Sequence, residues 1–270
     1  MKVIAELGSN WKIKEDCFSA IKIAAKARAN AIKFQMFTAK ELYGVDSPRI
    51  QGELPREWVE ELAIECGNSG IEFMCTGFSP NGYSFLNKYV NTHKIASAEL
   101  HAPDILIQVN KFKKPVYLST GGATIKEILS ALEMLQDCSV TVFFCVADYP
   151  ARIIDFRRML ELKEALAGPN GPKFGYSDHS IDVLNIPKLA KQAGAWVIEK
   201  HVNFGCFTDT PDAPHAINAE ELALMVKNLN DKSTIHDSEM LCNQKMKRIW
   251  KRRYIHLPDG TWGWFRPIVF

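Results

Sequence analysis

This amino-acid sequence predicts an α/β fold of eight successive strand–helix units closed into a (β/α)8, or TIM, barrel with a short C-terminal extension. Three observations carry that expectation. Short β-branched runs alternate with longer amphipathic stretches, from the N-terminus to about Lys232. The alternation occurs eight times with no run of consecutive hairpins, which argues for a parallel sheet, and eight is the number of units that closes a barrel. The length, 270 residues, suits a fold that typically needs about 250. The alternative is an open doubly wound sheet. No G-x-G-x-x-G follows the first strand, which weakens the dinucleotide-binding form of that alternative.

In order, Val3 to Glu6 reads as the first strand and Glu15 to Arg28 as its helix. Ala31 to Gln35 is the second strand, with a helix from Arg56 to Asn68 after a long loop. Ile71 to Cys75 precedes a helix from Asn81 to Val90, and the short strand His93 to Ala96 precedes one from Pro103 to Lys111. Pro115 to Ser119 is followed by Thr124 to Leu135, and Val140 to Cys145 by Asp155 to Leu166. Lys173 to Tyr176 leads to a helix at Ile186 to Ala193, and Ala195 to Lys200 to one at Ala219 to Asn228. Each strand is a short apolar run of the length a buried parallel strand needs, and each helix a longer segment with one apolar face. Residues 1–232 are therefore assigned to the catalytic barrel, and 233–270 to an aromatic-rich extension. There, Lys245 to Arg253 is a basic run, read as a solvated helix face with nucleic-acid contact as the alternative. Pro258-Asp259-Gly260-Thr261 is a turn signal beside Trp262, Trp264 and Phe265, which suggests a hairpin.

A net charge of +2 leaves no global field to recruit nucleic acid or a membrane, so anionic substrates need locally placed cations. The opening MKVIAELGSN lacks the apolar core of a signal peptide. No apolar run approaches the roughly 18 residues that span a bilayer. The seven cysteines are scattered and form no C-x-x-C. They read as free thiols of a reducing compartment, so a cytoplasmic location is expected.

The active site of such a barrel lies at the C-terminal ends of its strands. The residues that fall there are Glu6, Lys33, Gln35, Thr76, Lys94, Ser97, Glu99, Ser119, Tyr149, Ser177, Asp178, His179 and His201. Side-chain alternation puts Gly175, Ser177 and His179 on one face of the seventh strand, and Val197, Glu199 and His201 on one face of the eighth. The two imidazoles can then converge on a divalent metal acting as a Lewis acid, or be ordinary hydrogen-bonded histidines. Lys33 and Lys94 sit in apolar strand contexts, where an ammonium must meet an anion or lose its proton. With hydroxyls at Thr76, Ser97, Ser119 and Ser177 they fit a small polyanion such as phosphoenolpyruvate. Structural ion pairs with Glu6 and Glu99 are the competing reading, and a Schiff-base role for Lys94 a third.

Seven stretches also resemble the sialic acid synthase family in order and spacing. They are Ala5-Glu6-Leu7-Gly8-Ser9-Asn10, Ile32-Lys33-Phe34-Gln35, Cys75-Thr76-Gly77-Phe78-Ser79, Lys94-Ile95-Ala96-Ser97-Ala98-Glu99, Leu118-Ser119-Thr120-Gly121, Ser177-Asp178-His179-Ser180 and Ile198-Glu199-Lys200-His201. The resemblance implies a metal-dependent transferase that condenses phosphoenolpyruvate with an open-chain amino-sugar aldehyde and releases phosphate. It implies metal ligands at His179 and His201, with Mn²⁺ the expected ion and Mg²⁺ or Co²⁺ the alternatives. It places phosphoenolpyruvate on Lys33, Thr76, Lys94, Ser97, Ser119 and Ser177. Glu6 becomes the catalytic acid, and Gln35, Glu99, Tyr149 and Asp212 become sugar contacts. A homodimer is also expected, with Trp250 to Phe270 at the interface or over the barrel mouth, and Arg252, Arg253 or Arg266 in place of a family arginine.

The departures are specific. Trp11 stands where the family usually has His, Phe144 stands for another His, and Ala147 for Asn or Ser. The Pro-Asp-His-Ala signature becomes Pro211-Asp212-Ala213-Pro214-His215-Ala216, with two extra residues, and the family's usual C-terminal antifreeze-like domain has no counterpart in the extension. A synthase or aldolase for another aldehyde, or a barrel that binds without turnover, are the alternative functions.

Overall fold

In a computed structural model of the chain, the alternation resolves into eight parallel strands. They are β1 (Lys2–Glu6), β2 (Ala31–Met36), β3 (Glu72–Gly77), β4 (His93–Ile95), β5 (Val116–Ser119), β6 (Val140–Cys145), β7 (Lys173–Asp178) and β8 (Val197–His201). The structure describes residues 1–44, 50–151, 154, 156–168, 171–231, 253–256 and 262–265. The hydrogen-bonded order is β3-β2-β1-β8-β7-β6-β5-β4. β4 lies against β3 and completes the ring. The barrel that the sequence predicts is therefore present.

The helices are α1 (Lys14–Lys26), α2 (Ala39–Tyr43), α3 (Val59–Asn68), α4 (Pro80–Leu86), α5 (Pro103–Asn110), α6 (Ile125–Met134), α7 (Phe156–Ala165), α8 (Asn185–Gln192) and α9 (Ala219–Asn230). Local chemistry starts several of them. The side chains of Thr38, Ser79, Thr124 and Asn218 each accept a backbone N–H of the first turn. α2 falls in the stretch expected as a loop. It is too short to show an apolar period, but Thr38 and Glu41 form a capping box and Gly44 closes it at φ 73°.

The strands separate two cores. Their outward side chains, among them Val3, Ile32, Phe34, Leu118, Val142, Phe144, Tyr176 and Ile198, pack under the helices. A smaller inward cluster of Ile4, Ala31, Met74, Tyr117, Phe143 and Val197 plugs the barrel. Asp178 and Lys200 have the outward phase. They are fully buried and paired at 2.7 Å, and Ser180 and the Asp182 carbonyl also accept from Lys200. This pair ties β7 to β8 from behind, and losing one partner would leave a buried charge uncompensated at about 3–5 kcal/mol.

β9 (Arg253–His256) and β10 (Trp262–Phe265) pair antiparallel, with Trp262 opposite His256. The β10 backbone runs close to α2. Trp250, Arg252, Arg266, Phe270, the turn at 258–261 and most of the basic run lie outside the described residues, as do the side chains of Arg253, Tyr254, Trp262, Trp264 and Phe265. Among the described residues the cysteines are free thiols, and no helix is long and apolar enough to cross a membrane.

Candidate active site

Beyond the apolar plug, the inward phase of the strands changes to polar residues. The ladders put Glu6 level with Lys33 of β2 and with His201 of β8. They put Gln35 level with Thr76, and Ser177 level with Glu199. A cavity of about 320 Å³ opens there. Its wall includes Glu6, Lys33, Gln35, Thr76, Lys94, Ser97, Ser119, Tyr149, Ser177, His179, His201 and Asp212, so twelve of the fourteen candidate residues meet in one place.

Asp178 faces outward to Lys200, and Glu99 is fully buried in a 3₁₀ turn after β4; neither is part of the cavity wall, so the expected sugar contact of Glu99 is not supported. The turn carries Glu99 under the neighbouring helices instead of continuing the strand phase that Lys94 follows. Sequence reasoning in turn missed Glu199 and His215, together with Phe78, Ala96 and Pro211, which also line the cavity. Glu199 was accessible by alternation alone, being two residues before His201. His215 was not, because a long loop after β8 brings it back over the strand ends.

Two ammonium groups and two carboxylates form a buried network at the cavity floor. Lys33 Nζ lies 2.7 Å from Glu6 Oε2 and 3.8 Å from Glu199 Oε2, and donates to Thr76 Oγ1 at 3.2 Å. Lys94 Nζ lies 3.2 Å from Glu199 Oε1, which also accepts from Ser177 Oγ at 3.0 Å. Gln35 donates to the other oxygen of Glu6 at 2.9 Å. Burial works against the Lys33 ammonium, but Glu199 and Glu6 raise its pKa above the ordinary value. Burial likewise pushes Glu199 up, but Lys33 and Lys94 pull it to about 2. Both lysines face inward, and the carboxylates they meet are Glu6 and Glu199, where the competing ion-pair reading named Glu6 and Glu99.

Small groups complete the wall around Ser97 and Ser119. Ser97 Oγ accepts from the Gly121 N–H at 3.0 Å and lies 3.2 Å from Cys145 Sγ. A Cβ on Gly121 would come within 2.7 Å of that sulfur, so the backbone approaches closely only because the residue is glycine. Ser119 Oγ is buried without a hydrogen-bond partner.

Histidines gather at the rim. The rings of His179 and His201 are 5.8 Å apart, those of His201 and His215 4.4 Å, and those of His179 and His215 6.2 Å. Tyr149, half exposed, lies over His179 at 4.1 Å. His179 Nδ1 bonds the Val146 carbonyl at 2.7 Å, which leaves Nε2 free as a ligand atom. Burial and the neighbouring His201 hold the pKa of His179 down to about 3, and the same two causes hold His215 to about 3. Both rings are thus neutral near pH 7, the state that ligates metal. Asp212 Oδ2 accepts from the Ser9 N–H at 2.6 Å and from its hydroxyl at 2.7 Å. Gly8, at φ 55°, makes room for that carboxylate, because a Cβ there would strike Oδ2. Burial would raise the Asp212 pKa, but His201 and the Ser9 bonds hold it below the usual range.

The family departures sit mostly outside this cavity. Trp11 is buried in the loop after β1, donates to the Gly8 carbonyl at 3.0 Å and meets Trp58 edge-on at 5.5 Å. Phe144 stacks on Tyr176 behind the barrel.

Comparison with known proteins converges on one group. Residues 20–240 match the model of the NeuB family. The chain is 31% identical to the spore coat polysaccharide biosynthesis protein SpsE of Bacillus subtilis, over 83% of this chain and 65% of that protein. It thus spans slightly less than two thirds of that relative's length. It is 30% identical to the N,N'-diacetyllegionaminic acid synthase of Legionella pneumophila, over 86% of this chain and 72% of that one. The solved N-acetylneuraminic acid synthetase of Leptospira borgpetersenii, in complex with citrate, superposes with a TM-score of 0.78 at 27% identity, covering 87% of each chain. With a family match across most of the barrel and the strand-end residues gathered in one cavity, this chain belongs to the NeuB family.

Proposed function

We propose that this cavity condenses phosphoenolpyruvate with the open-chain aldehyde of an N-acetylated amino sugar, at a divalent metal near His179 and His201, and releases inorganic phosphate. The observation that carries the reading is the pair of buried, inward-facing ammonium groups of Lys33 and Lys94 at the floor of a cavity rimmed by imidazoles. The names of relatives that synthesise nonulosonic acids support it.

A divalent cation suits the donors present. His201 Nδ1 and both nitrogens of His215 are buried without hydrogen-bond partners. The cavity also holds Glu6, Glu199 and Asp212 against only Lys33 and Lys94, so its carboxylates outnumber its cations. A polyanionic substrate enters such a site only if more positive charge is supplied. When bound, the metal supplies that charge and polarises the aldehyde oxygen.

The chain's own residues do the rest. Lys33 and Lys94 exchange part of their pairing with Glu6 and Glu199 for the phosphate and carboxylate of phosphoenolpyruvate, and Thr76, Ser97, Ser119 and Ser177 donate to the same anions. C3 of phosphoenolpyruvate attacks the aldehyde carbon, the C2=C3 and aldehyde C=O π bonds break as the new C–C bond forms, and the aldehyde oxygen takes up one proton of the water that adds at C2. The oxygen of one water adds at C2, the C2–O bond to phosphorus breaks, and phosphate leaves with its oxygen. Glu6, oriented by Gln35 and Lys33, exchanges protons with that water. Gln35, Tyr149 and Asp212 line the side left for the sugar. A lysine ion-paired at 3.2 Å, as Lys94 is, makes a poor Schiff-base nucleophile.

Phosphate release from phosphoenolpyruvate is expected only when both an aldehyde such as N-acetylmannosamine or a diacetamido relative and Mn²⁺ are present. Release without aldehyde, or a lysine adduct trapped by borohydride, would overturn the reading. A panel of amino sugars identifies the substrate. We also propose a homodimer in the cytoplasm in which the tail from Trp250 to Phe270 helps form the interface or covers the barrel mouth, and the approach of β10 to α2 supports a role for that tail beside the barrel. Sedimentation is expected to give a dimer, and a chain ending at Lys232 to lose activity. A full-length monomer at micromolar concentration would refute the dimer.

A further inference from the structure

We propose that His215 and Asp212 are direct ligands of the divalent ion together with His201, so that this chain holds its metal through a denser, more nitrogen-rich donor set than two imidazoles. The inference rests on the reading that the site takes a divalent metal, though not on the reaction performed there.

Asp212 immediately precedes the 3₁₀ turn Ala213–His215, and its side chain makes no capping bond to that turn. Such a turn has three residues per revolution, so the side chains at 212 and 215 stand on the same side. They form a local chelate aimed at His201. Asp212 Oδ1 lies 3.7 Å from His201 Nδ1 and 3.7 Å from His215 Nε2. Both separations are too long for hydrogen bonds. They suit donors that share an ion about 2.1 Å from each nitrogen. One donor atom from each of His201, Asp212 and His215 lies within 4.8 Å of the others.

The remaining bonds of these residues hold that arrangement in place. Asp212 Oδ2 is occupied by Ser9, which turns Oδ1 toward the imidazoles. His215 is only 2% exposed, and neither of its ring nitrogens has a hydrogen-bond partner. The ring packs against Tyr149, His179 and His201, but that leaves both of its buried nitrogens unsatisfied, and metal ligation supplies a partner for one of them. His215 is also nearer to His201, at 4.4 Å between rings, than His179 is at 5.8 Å. An added imidazole favours Mn²⁺, Fe²⁺, Co²⁺ or Zn²⁺ over Mg²⁺, which prefers oxygen.

The test is a titration of the metal-stripped full chain with Mn²⁺, without substrates, following free Mn²⁺ by electron paramagnetic resonance. His215→Ala and His215→Gln are each expected to weaken binding by tenfold or more, with unfolding temperatures recorded to confirm that the proteins are folded. Asp212→Asn keeps an acceptor for Ser9 while replacing the donor oxygen, and is expected to weaken binding to a similar degree. If the wild-type chain binds no Mn²⁺, Co²⁺ or Zn²⁺, the metal reading itself falls and this inference with it. If the wild type binds, but these variants bind equally well while His179→Ala does not, only the assignment of His215 and Asp212 is overturned.

Discussion

Replacing His201 with alanine is expected to lower kcat/KM by about 10³-fold or more, equivalent to ~4 kcal/mol of transition-state stabilisation. His201 is level with Glu6 across the β1–β8 ladder. It is also the imidazole between His179 and His215, so every arrangement of a metal at this rim uses it. A packing defect alone would cost far less than that loss, typically about 1–2 kcal/mol of stability, and would not act on turnover selectively. Steady-state kinetics with saturating Mn²⁺, alongside thermal unfolding, separates the two. A folded His201→Ala protein that keeps a tenth of wild-type activity would exclude His201 from the chemistry.

The second large effect is expected at Lys94. Lys94→Met should raise the KM for phosphoenolpyruvate by about 10²-fold while the KM for the sugar changes little, because a buried charge-assisted contact to one substrate is worth about 2–3 kcal/mol. Equal changes in both constants would contradict the assignment of Lys94 to the phosphoenolpyruvate side. The same substitution has a consequence for stability. Burial raises the Glu199 pKa, and Lys33 and Lys94 overcome it to give about 2 against an ordinary 4.5. A carboxyl depressed in the folded state stabilises the fold fully above its unfolded pKa, and that stabilisation fades as pH falls from about 4.5 toward 2. Without Lys94 the depression is smaller, so the variant should lose less stability than the wild type on acidification across that window. Urea unfolding at pH 7 and pH 3.5 measures the difference.

Most of the architecture was readable from the chain because the strand and helix periods are local properties. The run Val3 to Glu6 and its seven counterparts announce a buried parallel strand by composition and length, whatever they pair with. Alternation along each strand also indicated which side chains share a face, so the convergence of Lys33, Thr76, Ser177, His179 and His201 followed once the strands closed into a ring. The same reasoning would have reached Glu199, which differs from its neighbours only in having gone unselected.

What alternation could not reach depends on loops. Glu99 sits four residues past β4, where a 3₁₀ turn replaces the strand phase and the residue is no part of the cavity wall. His215 lies fourteen residues beyond the end of β8, and only the return of that loop over the barrel, held by Ser9 on Asp212, brings it beside His201. The pairing of each lysine was likewise undecided, since Glu6, Glu99 and Glu199 offer the same charge. The sequence by itself determined the barrel, the inward phase and the residue types at each strand end, because these follow from the two-residue repeat of a strand. Only the tertiary structure decided which carboxylate meets which ammonium and which histidines lie side by side. Those are matters of a few ångströms between segments far apart in the chain, and no periodicity encodes them.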